Sequence, residues 1–462
     1  MKVASIFISF LIASTAFAVN QEVEEKRQNI EILKAVLENT TEKIPVTEVI
    51  NTMETKVLVG SDYHGFEEKN VEKKGKTITF VPITYKEEIV IKTFDGKVLL
   101  KKKYENKIPQ YFYEKHLSTE KKKFSSRYMF LSSKEEDLGH SFFYIYILNR
   151  AGEPIWFYVP KNANFEKVNY ISPKIKDDTI FLILKGRESM LNQIDWYGRV
   201  LFQVKNTDFA PSKKFHHDFV LKRDKILFLT QHKGFVRTNL LKKPSPIIYD
   251  ELIEFDIKRR KYQIVWKSLD HFVPLGRKYK RDFTHSNSLA LAPDGGVLIS
   301  VRNQSTLVKL DKSYNFQWSL GRNGMIKPAT KEDIFSMEHD AHFLDEKTII
   351  LFDNHRNVKK GSFSRGVILT FDEKKKKFWI KRKFFPKKKI FARNRSSFSK
   401  LKNGNYLAMF ILTGSPFDVI VEFDGKSGEE IENLKMGHFA KDSGAFRSYP
   451  FNSINIKENK HD

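Results

Sequence analysis

From Tyr128 onward the chain repeats one pattern: an apolar strand, a polar turn, a second strand, a variable loop and a third strand ending in Asp or Asn. The third strands end at Ile147-Leu148-Asn149, Gln193-Ile194-Asp195, Glu254-Phe255-Asp256, Lys309-Leu310-Asp311, Thr370-Phe371-Asp372 and Glu422-Phe423-Asp424. A tryptophan follows four of them, at Trp156, Trp266, Trp318 and Trp379, where it reads as packing on a fourth strand. A unit of four short strands cannot bury its faces alone, and such units stack radially around a channel. The pattern predicts an all-β chain whose residues 126–462 form a six-bladed β-propeller.

The first strand of each blade lines the channel, so residues at the starts of the repeats converge although they lie far apart in sequence. Ser336–Leu344 and Thr348–His355 read as one hairpin around a turn at Asp345–Lys347. With Glu346 as first turn residue, His339 lies seven before it and Asn354 eight after it, and the two face each other across the strands. The same count places His217 and His232 around Asp224, and Asn287 and Arg302 around Asp294-Gly295. It also places Ser396 before Asn403-Gly404 and Tyr170 before Asp177. Alternation sets His285 on the face of Asn287, and His216 opposite to His217. His217, His285, Asn287, Arg302 and His339 are thus predicted at one mouth of the channel. The loops His232–Ile248, Asn354–Arg365 and Thr413–Phe417 are expected there as a lid.

Ahead of the repeat, Met1-Lys2, the apolar run Val3–Ala18 and the Ala16-Phe17-Ala18 cleavage pattern predict a signal peptide over residues 1–18. Export to the periplasm is expected, with secretion as the alternative; no other run is long enough to span a bilayer. Residues 19–125 read as an amphipathic helix from Val19 to about Lys43, carrying Ile30, Leu33, Val36 and Leu37, followed by a small β region. The chain has no cysteine and therefore no disulfide. Lysine and arginine number 81 against 56 acids, a formal charge of +25; without Lys2 it is 25 − 1 = +24. Such a balance favours anionic partners. Nucleic acid is not expected, because the chain reads as exported and its lysines are scattered through polar turns. The densest run, Lys381–Lys389, reads as an edge strand defended by lysine.

The ordered set Phe215-His216-His217-Asp218, His285-Ser286-Asn287-Ser288, Ser300-Val301-Arg302, Glu338-His339-Asp340-Ala341, Phe352-Asp353-Asn354 and Ser364-Arg365 resembles the bacterial arylsulfotransferase family. The resemblance covers about Lys213 to Arg447. It implies a six-bladed propeller and an exported enzyme that moves a sulfuryl group from an aryl sulfate donor to a phenolic acceptor, without a nucleotide sulfate. It further implies that His339 is the nucleophile, forming a sulfohistidine. His217, His285, Asn287 and Arg302 would hold sulfuryl oxygens and handle protons, with Asn354, Arg365 and His216 on the substrate. No metal or cofactor is implied. The sequence departs from the family at Glu338, where glutamine is usual.

Those residue types suit that chemistry. A neutral imidazole is a nucleophile near neutral pH, and an arginine fork matches sulfuryl oxygens. A metal site of His217, His285 and His339 is a lesser alternative, opposed by the neighbouring Arg302. No Gly-x-x-x-x-Gly-Lys loop or Gly-x-Ser-x-Gly elbow is found. The competing reading is a non-catalytic propeller that binds an anionic ligand or glycan at the same basic mouth. Association into homo-oligomers is left open.

Overall fold

The computed structural model describes residues 213–437 almost throughout, except 238–243, 273–281, 357–362 and 416. It describes the strands and few of the turns of 124–208, the segment 444–451, and only strands before residue 124. The chain divides into two compact units: 1–115 with 155–161 and 455–462, and 116–154 with 162–454.

In the first unit one sheet has the order Gly65–Glu68, Thr55–Ser61, Lys86–Thr93, Val98–Glu105, and another the order Glu42–Pro45, Thr77–Phe80, Glu72–Lys74. The signal peptide lies outside the described residues. So does the helix expected from Val19, up to residue 41; the first element described is the strand Glu42–Pro45, and an N-terminal helix is not part of the fold shown.

The second unit is a β-propeller. Five blades, not six, are built from four consecutive antiparallel strands each: residues 170–205, 214–267, 286–321, 339–384 and 397–437. The fourth also takes Lys327–Pro328 on its outer edge, parallel to Lys377–Phe384. The first predicted repeat, beginning at Tyr128, is not a consecutive blade. Tyr128–Asp137 pairs on one side with His140–Asn149 and on the other with Gly444–Phe451, near the far end of the chain. This sheet bridges the last blade and the first, and residue 156 groups with the other unit.

Local chemistry explains the units. The recurrent aspartate caps the turn between third and fourth strands: Asp256 Oδ1 accepts from Arg259 N–H, Asp311 from Ser313 and Asn315, Asp372 from Lys375, and Asp424 from Lys426 and Ser427. Apolar faces meet between blades. Leu227, Leu229 and Trp266 pack with Leu289, Ile299 and Val301, while Leu307 and Trp318 pack with Ile349, Leu351 and Phe371. Trp266 and Trp318 are buried on the fourth strands of their blades, and Trp379 lies on the fourth strand of another, as the repeat implied.

Around the channel, the innermost strands are stitched by polar side chains. Asp218 accepts from Leu289 N–H (3.0 Å), Ser288 from Ala341 N–H (3.1 Å), Asp340 from Phe398 N–H (3.0 Å) and Ser397 from Ser448 N–H (3.1 Å). Each of these side chains directly follows a position that the register count had singled out. The fully buried Arg447 donates to Asp218 (3.0 Å) and to the carbonyl of Asn287.

Three register expectations are corrected. His339 pairs with Phe352 rather than Asn354, Asn287 lies between the pairs Ser286↔Val301 and Ser288↔Ser300, and His217 lies between Phe215↔Thr230 and Phe219↔Phe228 rather than opposite His232. The cause is a bulge in each inner strand: His217 (φ 49°) and Asp340 (φ 56°) adopt left-handed backbone within theirs, and His285 (φ 52°) does so just before the strand whose bulge falls at Asn287. The expected loop His232–Ile248 is largely ribbon, since Lys225–Val236 and Ser245–Asp256 stay paired out to Val236↔Ser245. That pairing satisfies the backbone groups of an otherwise polar excursion.

Candidate active site

Asn354 fixes the ring of His339. The Asn354 Nδ2 group donates to the carbonyls of Ala392 (2.8 Å) and Arg395 (3.3 Å), which turns Oδ1 toward His339 Nδ1 at 2.7 Å. The proton between that pair must therefore sit on Nδ1 of the neutral ring. Nε2 is left with its lone pair, which accepts from the backbone N–H of Arg395 at 3.1 Å. His339 is 2% exposed. Burial, followed by the charges of Arg302 and Arg447, holds its pKa well below the ordinary value, against the opposing effect of the Asn354 bond. The imidazole is neutral at physiological pH and presents one tautomer.

His216, His217 and His285 form a second group, with ring centroids 4.2, 4.9 and 4.8 Å apart. Alternation put His216 opposite to His217; the left-handed backbone at His217 turns both rings to one side. His217 Nε2 lies 2.9 Å from His285 Nε2, while His285 Nδ1 bonds Asp282 and His216 Nδ1 lies 2.8 Å from Asp250 Oδ1. Burial chiefly, then Lys185, pushes His216 down to about 4. Burial and the neighbouring histidines hold His217 well below its usual value. The two histidine groups are coupled, because His339 contributes to the depression of His217, and His285 to that of His339.

Asn287 is fully buried and donates from Nδ2 to the carbonyl of Glu338 (2.7 Å), so its Oδ1 faces away from that carbonyl and accepts no hydrogen bond among the described residues. Arg302 donates to Asn303 Oδ1 (2.8 Å) but leaves Nε without an acceptor there. Its pKa is lowered by burial, then by Arg356, with a further contribution from Arg393. Arg356 is in turn lowered by burial and by Arg393. Three guanidinium groups are thus close enough to disfavour one another's charge, which is an arrangement suited to an anion.

Glu338 accepts from Ser300 Oγ at 3.0 Å. Burial pushes its carboxyl up to about 7. Arg365, expected on the substrate, is engaged elsewhere: Nε donates to Asp353 (2.9 Å) and a terminal nitrogen to the carbonyl of Ile334 (3.0 Å). His232, the count's partner for His217, stands in the ribbon against Tyr249. Sequence reasoning missed Arg356 and Arg393, which lie in irregular segments after Asn354 and after Ala392, and the central Arg447. No local pattern marked the first two; Arg447 follows the last repeat, at the edge of the motif set.

Fold and site together define a propeller whose channel mouth joins a cluster of histidines to a cationic rim. The family profile described as Arylsulfotransferase (ASST) matches residues 114–417, and the chain belongs to that family. Membership supports an enzyme of sulfotransferase type. No curated protein matches. Solved structures resemble it distantly. A Bacteroides caccae protein of unknown function is 12% identical over 71% of this chain and 100% of its own (TM-score 0.46). TolB from Acinetobacter baumannii is 13% identical over 82% and 81% (TM-score 0.40). A catalytically inactive variant of virginiamycin B lyase from Staphylococcus aureus is 11% identical over 73% and 89% (TM-score 0.37). Among the described residues no helix is long and apolar enough to cross a membrane.

Proposed function

We propose that the protein transfers a sulfuryl group from an aryl sulfate to a phenol through a sulfohistidine at His339, without a nucleotide sulfate, and that it acts after export to the periplasm. Export rests on the signal-like residues 1–18, and 126–462 is taken as the catalytic domain. The observation that carries the reading is the fixed tautomer of His339 inside an arylsulfotransferase family match. With Nδ1 protonated toward Asn354, Nε2 is the nucleophile. It attacks sulfur, the S–O bond to the aryl group breaks, and the phenolate leaves with a proton supplied by the His217–His285 pair. A phenol then reverses the steps.

Arg302 is assigned to the sulfuryl oxygens, because a guanidinium whose Nε lacks an acceptor has a donor to spare. Arg356 and Arg393 add charge at the rim. Asn287 has a spare acceptor rather than a spare donor, so it is assigned to the hydroxyl of the acceptor phenol instead of a sulfuryl oxygen. The Arg395 N–H gives up His339 Nε2 when the donor arrives and turns to a sulfuryl oxygen. Arg365 holds the Asp353 turn and supports Asn354 indirectly.

The test is brief exposure to a chromogenic aryl sulfate without acceptor, followed by mass spectrometry at alkaline pH. A sulfuryl mass on the His339 peptide, absent in His339→Asn, supports the reading. An adduct on another histidine, or phenol release by water alone, refutes it.

A further inference from the structure

We propose that His216, His217 and His285 form a binding site for a first-row divalent metal ion that prefers imidazole, Zn²⁺ being representative, and that this ion and the sulfuryl donor exclude each other. The exclusion clause rests on the sulfotransfer reading; the binding clause does not.

Three rings from two neighbouring blades each offer a nitrogen, and these nitrogens lie within 4.8 Å of one another. The 2.9 Å between His217 Nε2 and His285 Nε2 matches a shared ion. Two imidazoles bound at about 2.0–2.1 Å, with an angle between right and tetrahedral, place their nitrogens roughly 2.9–3.4 Å apart. The outer nitrogen of His285 is engaged as in a carboxylate–histidine–metal arrangement, with Nδ1 on Asp282, which puts the ring proton there and leaves Nε2 to ligate. His216 Nδ1 lies 2.8 Å from Asp250 Oδ1. Asp250 is itself held by Thr284 Oγ1 and Ser286 N–H, both at 2.6 Å.

His216 supplies a separate observation. The ring is fully buried, and its Nε2 has no hydrogen-bond partner among the described residues. A buried acceptor of that kind is costly unless something outside the chain satisfies it. The carboxylates of Asp250 and Asp282 act on the nearby Lys185, and Asp282 also on Arg302, so they offset part of the positive charge around the triad. An all-imidazole set selects zinc, copper, nickel or cobalt over magnesium or calcium.

The experiment titrates chelator-treated full-length protein with Zn²⁺ by calorimetry and with Co²⁺ by visible absorption. One equivalent should bind. His285→Gln, at a partly exposed position, and His216→Asn should each weaken binding at least 100-fold, Asp250→Asn by about 10–100-fold, and His339→Asn not at all. Thermal transitions check that each variant is folded. Absence of saturable one-to-one uptake, or unchanged affinity in folded His285→Gln, overturns the site and leaves the short contact as a His–His hydrogen bond. Zn²⁺ should raise the donor KM at constant kcat, reversibly with chelator; a fall in kcat at constant KM overturns exclusion. Metal uptake by a protein that never turns over aryl sulfate would keep the site and sink the sulfotransfer reading. Turnover without uptake would do the reverse.

Discussion

At the scale of single residues, the amide of Asn354 decides which nitrogen of His339 can react. Asn354→Leu removes that bias together with the hydrogen bonds to the carbonyls of Ala392 and Arg395. Its kcat should fall at least tenfold, with a smaller change in donor KM, as steady-state kinetics would register. Arg302→Lys keeps the charge but loses the planar fork, and kcat/KM for the donor should drop by ten- to a hundredfold. Wild-type kinetics in that variant would take Arg302 out of the site. Glu338 makes a stability prediction. Its carboxyl is raised from 4.5 to about 7, so the folded state keeps the proton that the unfolded chain gives up. Stability on its account is therefore full below 4.5 and declines as pH rises to about 7. Glu338→Gln, which cannot ionise, should unfold like the parent at pH 4.5 and be more stable by about 3 kcal/mol at pH 8 in denaturant titrations. These residues were legible because repeat arithmetic brought them to one mouth. The arginines at 356, 393 and 447 were not, because charge in an irregular segment carries no register.

At the scale of the element, the inner strands are where sequence and structure part. Alternation and turn length predicted a continuous ladder, yet the strands are bulged at His217, Asn287 and Asp340, with positive φ at His217, at Asp340 and at His285 just ahead of its strand. Such backbone is usually announced by glycine, and histidine or aspartate in its place gives no warning. The bulges nevertheless explain why the predicted partners still meet: His339 reaches Asn354 through side chains although its backbone partner is Phe352. The polar residue after each site position then fastens the strand to its neighbour. Ser288→Ala deprives the buried Ala341 N–H of its acceptor. It should cost about 1–3 kcal/mol in chemical denaturation and loosen the strand that starts at His339.

At the scale of the whole propeller, the element hardest to read was the sheet that draws on both ends of the unit. Repeat counting treats a blade as a run of neighbours, and nothing local pairs Tyr128 with Phe451. Arg447 secures that junction from the channel axis, where it is fully buried against Asp218. Arg447→Met should destabilise by about 3–5 kcal/mol, because the Asp218 and Asp340 carboxylates lose a buried counter-charge. Thermal unfolding would measure it, and a loss below about 1 kcal/mol would deny Arg447 that role. The same junction has a bearing on how the chain reaches its native state. Asp218 and Arg447 are separated by 229 positions, and loops that long close slowly. During synthesis the blades from Tyr170 to Gly437 can form in turn, but Tyr128–Asp137 keeps one unpaired edge until Gly444–Phe451 emerges. An open strand edge is a template for pairing with other chains. The final strand therefore acts as a latch in time as well as in space, and ribosome-bound chains stopped short of Gly444 should be far more prone to aggregate than the finished protein.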